Sequence, residues 1–203
     1  MKDILNVRSL VNTHQTVWNA MCLKGKFSCG IFYQACSAGN RLPWSSVCMR
    51  NLARPCAVFI FWLLCHRRLT TRSRLHRLGF ISQTVCVFCD KEETDNHLFF
   101  DCEETKGIWS PILHWLQVAH SPNQWDDDYD WIIKMGNRKG WRAKLFKLAI
   151  VETVYGVWQH RNRAVFGKRC NQTQTIKEIM EKIVFRGWFC RKLKPHVASL
   201  MVF

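Results

Sequence analysis

The chain has 203 residues, with 30 lysines and arginines against 15 acids, a formal net charge of +15 and a pI near 9.6. That length fits one domain or two small ones, and a hydrophobic content of 48% suffices for a buried core. The basic excess favours a polyanionic partner, nucleic acid ahead of a membrane surface, while an odd count of 11 cysteines behind an opening Met1-Lys2-Asp3-Ile4-Leu5-Asn6 with no apolar signal segment implies a reducing, intracellular setting over a secreted disulfide scaffold.

Residues 1–16 read as an N-terminal extension, and Trp18 and Phe27 then stand around a turn at Lys24-Gly25-Lys26. From Ser45 through His66 an apolar stretch with Val58, Phe59, Phe61, Trp62 and Leu63 predicts a core helix, with Pro55 near its beginning. Its longest apolar run, Cys56 to Cys65, is bracketed by Arg54 and Arg67 and is too short to span a bilayer, which excludes a membrane protein of that kind. Thr71 is placed to cap a short arginine-rich helix that ends at Gly79.

The next stretch carries the chemistry. Cys86-Val87-Phe88-Cys89, His97 and Cys102 form a Cys-x2-Cys-x7-His-x4-Cys pattern, the donor set of a structural Zn2+ site. A two-residue gap lets both thiolates of one turn face one ion. Thr94 can cap a following helix that returns His97 in its first turn and Cys102 near its end. Four protein ligands leave no open position for water, so such a site holds structure and performs no hydrolysis.

Charge divides sharply here. Arg50 to Phe80 contains seven arginines and no acid, whereas Ile81 to Ser110 contains seven acids against Lys91 and Lys106. An acidic segment that adds three thiolates is a poor phosphate-binding surface, so Arg67, Arg68, Arg72, Arg74 and Arg77 are the candidate nucleic-acid contacts. A second reading stays open beside it: these arginines form a solvated helix face or pair with the acidic segment next door.

After Cys102, the residues Ile108, Trp109, Ile112, Leu113 and Leu116 recur at helical spacing, with Pro111 predicting a kink or a restart. Asp126-Asp127-Asp128-Tyr129-Asp130 comes after Ser121-Pro122-Asn123 and reads as an exposed acidic loop, in place of a metal-dependent polymerase site. Trp141 to about Phe166 predicts a helix with an apolar stripe of Leu145, Leu148, Val151, Val154 and Trp158. Thr175 and Glu178 form a capping-box pattern ahead of Ile176, Ile179, Met180, Ile183 and Val184, a further helix. Trp158 beside Arg161 and Trp188 beside Arg186 are core tryptophans or platforms for bases.

These residues resemble the zinc-binding domain found downstream of the polymerase in plant non-LTR, LINE-type retrotransposon reverse transcriptases. The resemblance runs from Trp18 to Trp109. It is carried by Gly25-Lys26-Phe27-Ser28, Tyr33, Pro43-Trp44, Phe59-Ile60-Phe61-Trp62-Leu63-Leu64, Arg68-Leu69, Thr71-Arg72, Arg74-Leu75, the Cys86–Cys89 pair, Glu93-Thr94, His97-Leu98-Phe99-Phe100, Cys102 and Trp109. Trp158, Arg161, Asn162 and Phe166 are similar to a segment that often comes after this domain. Cys48, Cys56 and Thr70 depart from the family, which usually has Trp, Lys and Pro there.

The expected fold is therefore mainly α: a small helical domain organised around a Cys3His zinc knuckle at 17–118, an acidic loop or linker at 119–140, and a helical C-terminal region at 141–203. The resemblance implies a Zn2+-binding module of a retroelement polyprotein that helps a polymerase hold RNA or DNA, with a reverse transcriptase core as a further partner and no small-molecule substrate. No Tyr-x-Asp-Asp hairpin or RNase H acid set occurs, so the chain is expected not to be an enzyme. The alternative is a structural protein-interaction module whose zinc only staples helices.

Overall fold

Two local constraints break the apolar stretch that opens the fold. The computed structural model describes residues 42–121, 124–168 and 171–200, and the chain divides after Pro43 into two units, the second being Trp44–Phe203. Trp18 and the turn expected at Lys24-Gly25-Lys26 lie outside the described residues. Where one helix was expected from Ser45 to His66 there are two, α1 at Ser45–Cys48 and α2 at Pro55–Cys65. Proline disfavours a helical Arg54 before it and sits itself at the first helical position, where a missing amide costs nothing. The Asn51 side chain fixes the bend between them, donating to Val47 O at 2.9 Å and Lys147 O at 3.1 Å and accepting from Ala53 N at 2.8 Å.

The arginine-rich helix α3 spans Arg72–Arg77 and ends before Gly79, whose φ of 78° is the left-handed conformation glycine adopts freely. A hairpin-like turn with an antiparallel bridge between Val85 and Glu92 comes next, then a wide helical turn at His97–Asp101. Helix α4, Glu103–Trp115, passes through Pro111 without the expected restart. Beyond it come α5 at Trp125–Gly136, α6 at Trp141–Val165, α7 at Gln172–Trp188 and α8 at Lys194–Ser199. The architecture is mainly helical, as expected. Among the described residues there is no strand beyond the isolated bridge, and no helix is long and apolar enough to cross a membrane.

The acidic run 126–130 is the clearest correction, because it lies in helix α5 and not in a loop. Asp128 is 2% exposed and meets His120 Nε2 at 2.5 Å, while His120 stacks on Trp131 at 3.7 Å between centroids. Trp131 in turn meets Phe146 edge-on, so α5 has an apolar face that the charge run disguises. Carboxylates near a helix N-terminus also complement its dipole.

Helix α6 is the axle of the fold. It touches α2, α4, α5 and α7, so burial extends well beyond the predicted stripe and takes in nearly every residue from Leu145 to Val154. Helix α7 starts earlier than the capping-box pattern suggested. Asn171 caps it by accepting from Gln174 N at 3.3 Å, which leaves Thr175 buried in its interior against His160 and Glu178 paired with Arg163 at 2.7 Å.

The α6–α7 crossing depends on a missing side chain at Gly156. A Cβ there would overlap both Cγ1 and Cδ1 of Ile179, itself 3% exposed. Gly156→Ala is therefore expected to lower stability by about 1–2 kcal/mol in urea unfolding, because overpacking outweighs the gain in helix propensity. A stability equal to or above wild type would show that the two helices part without cost.

Candidate metal centre

The hairpin brings the first two cysteines to one tip. Cys86 N donates to Lys91 O and Glu93 N to Thr84 O, each at 2.8 Å, which closes the turn around Val87-Phe88-Cys89; Phe88 N points at Cys86 Sγ at 3.5 Å. Thr94 Oγ1 then accepts from His97 N at 3.0 Å, the capping bond expected of it. The turn that Thr94 caps is not an ordinary helix. Cys102 N bonds to His97 O at 2.8 Å, an i→i+5 closure. Positions five apart on an α-helix of about 3.6 residues per turn face directions ~140° apart, whereas the wider turn brings them roughly back into line. This turn lets His97 and Cys102 aim at the hairpin tip together.

The ligand atoms of Cys86, Cys89, His97 and Cys102 all lie within 4.8 Å of one another, with Cys89 Sγ 3.2 Å from His97 Nε2. A zinc tetrahedron has edges of ~3.8 Å between sulfurs and ~3.6 Å between sulfur and nitrogen, so movements of about 1 Å or less close the set. Cys86, His97 and Cys102 are 5%, 5% and 1% exposed, and Cys89 is half-buried. The hydrogen bond from Cys86 holds the Cys102 thiol below its ordinary range, and donating that bond, together with burial, pushes Cys86 up. Two sulfurs so close resist ionising together without a cation between them. Soft donors, tetrahedral reach and near-complete burial fit zinc.

Residues 27–109 match the family model described as zinc-binding in reverse transcriptase. No curated protein and no solved structure matches the chain. The matched segment contains all four donors together with helix α3.

Two contacts fasten the segment that carries the four donors to successive residues of α6. Phe88, from between the first two cysteines, stacks on His160 at 5.2 Å, and His160 bonds Thr175 Oγ1 through Nδ1 and Glu104 Oε1 through Nε2, both at 2.9 Å. Glu93, wholly buried, takes Arg161 Nη2 at 2.6 Å and Nε at 3.2 Å. The same carboxylate accepts from Arg72 N at 2.8 Å, so it caps α3 where the Thr71 side chain makes no capping bond. Sequence reasoning missed this role of Glu93. Arg161, 5% exposed, and Trp158, 7% exposed with the Arg161 guanidinium 5.0 Å from its ring, are core residues and not base platforms.

The five candidate arginines lie on and before α3, within the matched segment. Arg67, Arg68 and Arg77 are exposed, Arg72 donates to Val85 O at 2.8 Å, and Arg74 donates to Arg67 O at 3.3 Å. Asp95 faces part of the group. Burial pushes its carboxyl above the ordinary value, while Arg67, Arg74 and Arg77 draw it the other way.

Removing Glu93 leaves the Arg161 charge buried and unpaired and α3 uncapped. Glu93→Ala is expected to cost about 3–5 kcal/mol in urea unfolding, and joint replacement of Glu93 by Met and Arg161 by Leu is expected to recover much of it. If the double variant is as unstable as the single one, the capping of α3 and not the ion pair carries the effect.

Proposed function

We propose that Cys86, Cys89, His97 and Cys102 hold one structural Zn2+ and that the chain is the zinc-binding, nucleic-acid-associated module of a plant non-LTR, LINE-type retrotransposon reverse transcriptase. The observation that carries this reading is the convergence of the four donors inside the matched segment. A bound zinc cross-links the hairpin to the wide turn and offsets the thiolate charge. With every coordination position filled by protein, the centre supports no catalysis, and the module acts by binding. Cysteine ligands of this kind belong in a reducing compartment.

Arg67, Arg68, Arg72, Arg74 and Arg77 supply the phosphate contacts to RNA or DNA, with the reverse transcriptase core as the neighbour that places the template. Support comes from the separation of charge along the chain and from the exposure of Arg67, Arg68 and Arg77. One observation favours a second reading: Arg72 and Arg74 already donate to backbone carbonyls, and Asp95 faces Arg67, Arg74 and Arg77. On that reading zinc staples helices and the basic face docks an acidic protein.

Purified protein is expected to contain one zinc per chain, with Cys89→Ser and His97→Ala each losing most of it; equal zinc in all three proteins would reject these ligands. Chelation is expected to open residues 84–97 to proteolysis. RNA affinity in filter binding is expected to fall steeply with salt, and to drop on the order of tenfold or more when Arg67, Arg68 and Arg77 are reversed to Glu. Unchanged affinity in that variant would assign the face to a protein partner.

A further inference from the structure

A shallow groove crosses the C-terminal part of α6, and none of the four metal-ligand candidates lines it. Trp158, Asn162 and Phe166 belong to both of its arms: one, of about 500 Å3, reaches Phe59 on α2, and the other, of about 780 Å3, reaches Phe80 and the segment to Gln83 that leads into the hairpin. Three large apolar side chains stand out into solvent here. Phe59 is 55% exposed, Phe80 74% and Phe166 76%. Phe59 rests on Trp62 at 5.8 Å, which braces it from behind. Contiguous exposed aromatics of this kind mark an interaction surface.

The charge around them selects the partner. Arg72, Arg161, Arg163 and Lys168 line the groove, and among the described residues no carboxylate does. Arg161 is consumed by Glu93 and Arg163 shares a pair with Glu178 that is about one-third exposed, so the excess positive charge of the rim comes from Arg72 and Lys168. Gln83, Gln159 and Asn162 add amide side chains to the lining. Open aromatic faces for stacking, cations for phosphates and amides for base edges are the parts of a single-strand binding surface. A duplex fits poorly, since its base faces are already stacked on one another.

We infer that this groove binds single-stranded nucleic acid, stacking unpaired bases on Phe80 and Phe166 while Arg72, Arg163 and Lys168 face the phosphates. The inference rests on the nucleic-acid association proposed above and adds a second surface that reads unpaired bases, one that shares Arg72 with the arginine surface but none of Arg67, Arg68 and Arg77. It also gives the knuckle a task. The hairpin that begins after Gln83, closed by Glu93 N on Thr84 O, fixes where the Phe80 wall stands relative to α6.

The test uses the full zinc-loaded chain and fluorescence anisotropy with a labelled 12-nucleotide oligouridylate, its deoxy counterpart, and a blunt duplex. Wild type is expected to bind single strands more tightly than duplex, and whichever sugar binds tighter identifies the natural strand. Phe80→Ala with Phe166→Ala is expected to weaken single-strand binding on the order of tenfold or more, leaving duplex affinity and zinc content unchanged; Phe80→Trp with Phe166→Trp retains it. Single-strand affinity that survives the double alanine change overturns the groove but leaves the arginine surface standing. Equal loss on single strand and duplex also overturns it, as does a self-association in sedimentation that the double alanine change abolishes, which makes the groove a contact between copies. No binding of any oligonucleotide by wild type removes the underlying reading as well.

Discussion

Glu93 is the point through which the parts of this structure are held in register. Its carboxylate, fully shielded from water, grips Arg161 on the central helix and caps α3 through Arg72 N, while its own amide closes the hairpin on Thr84 O. A lone buried carboxylate is very costly, and this one is tolerable because opposing charge and several donors surround it. The contrast with Arg163–Glu178 is instructive. That pair has nearly the same separation, 2.7 Å against 2.6 Å, but both partners are about one-third exposed, so solvent screening leaves it worth about 0–1 kcal/mol.

The same device appears a second time along α6. Glu152, also wholly buried, accepts from Arg54 N at 2.8 Å at the start of α2 and from the Arg54 guanidinium at 2.7 Å and 3.0 Å. Neither α2 nor α3 has a side-chain cap of its own. Each borrows a carboxylate from far along the chain, which satisfies orphan amides and places negative charge at the positive end of the helix dipole. Both charged clusters involve α6, through Glu152 and Arg161, two and a half turns apart. The central helix thus fixes where two others begin, and the arginine-bearing α3 is aimed by a residue of the knuckle.

Much of this was legible in sequence because it is periodic or local. The donors announce themselves by spacing, the apolar run of α2 by composition, and α6 by its recurrence of Leu145, Leu148, Val151 and Val154. Other features escaped for reasons that can be named. Glu93 and Arg161 are 68 residues apart, and nothing in either neighbourhood reports the other. The acids at 126–130 have the composition of a loop, and only the burial of Asp128 against His120, with Trp131 stacked over that ring, makes helix the better state. Thr175 and Glu178 have the spacing of a capping box, but a threonine hydroxyl can bond wherever a partner stands, and His160 supplies one inside the helix. The wide turn at His97 has no compositional mark, because the demand for it comes from aligning two ligands five residues apart.

Coordination and ion pairing divide the work of the knuckle between them. The four donors join the hairpin tip to the wide turn, a local closure that a short polar segment cannot achieve by burial alone. The orientation of that unit on the rest of the protein comes from elsewhere: the Glu93–Arg161 pair, the Phe88–His160 stack, and Leu98, Phe99 and Phe100, which are at most 1% exposed in the main core. The consequence is an asymmetry in how the segment comes apart. Loss of a bound metal would loosen the tip, whose remaining ties are backbone bonds, the Phe88–His160 stack, Arg72 Nη1 on Val85 O and Ser73 Oγ on Glu92 Oε1, whereas the end carrying Leu98 to Phe100 stays anchored with α4. Opening on metal loss would therefore be sub-global, confined to the hairpin end of the knuckle. A metal held there would then govern the geometry of the hairpin tip more than the existence of the fold.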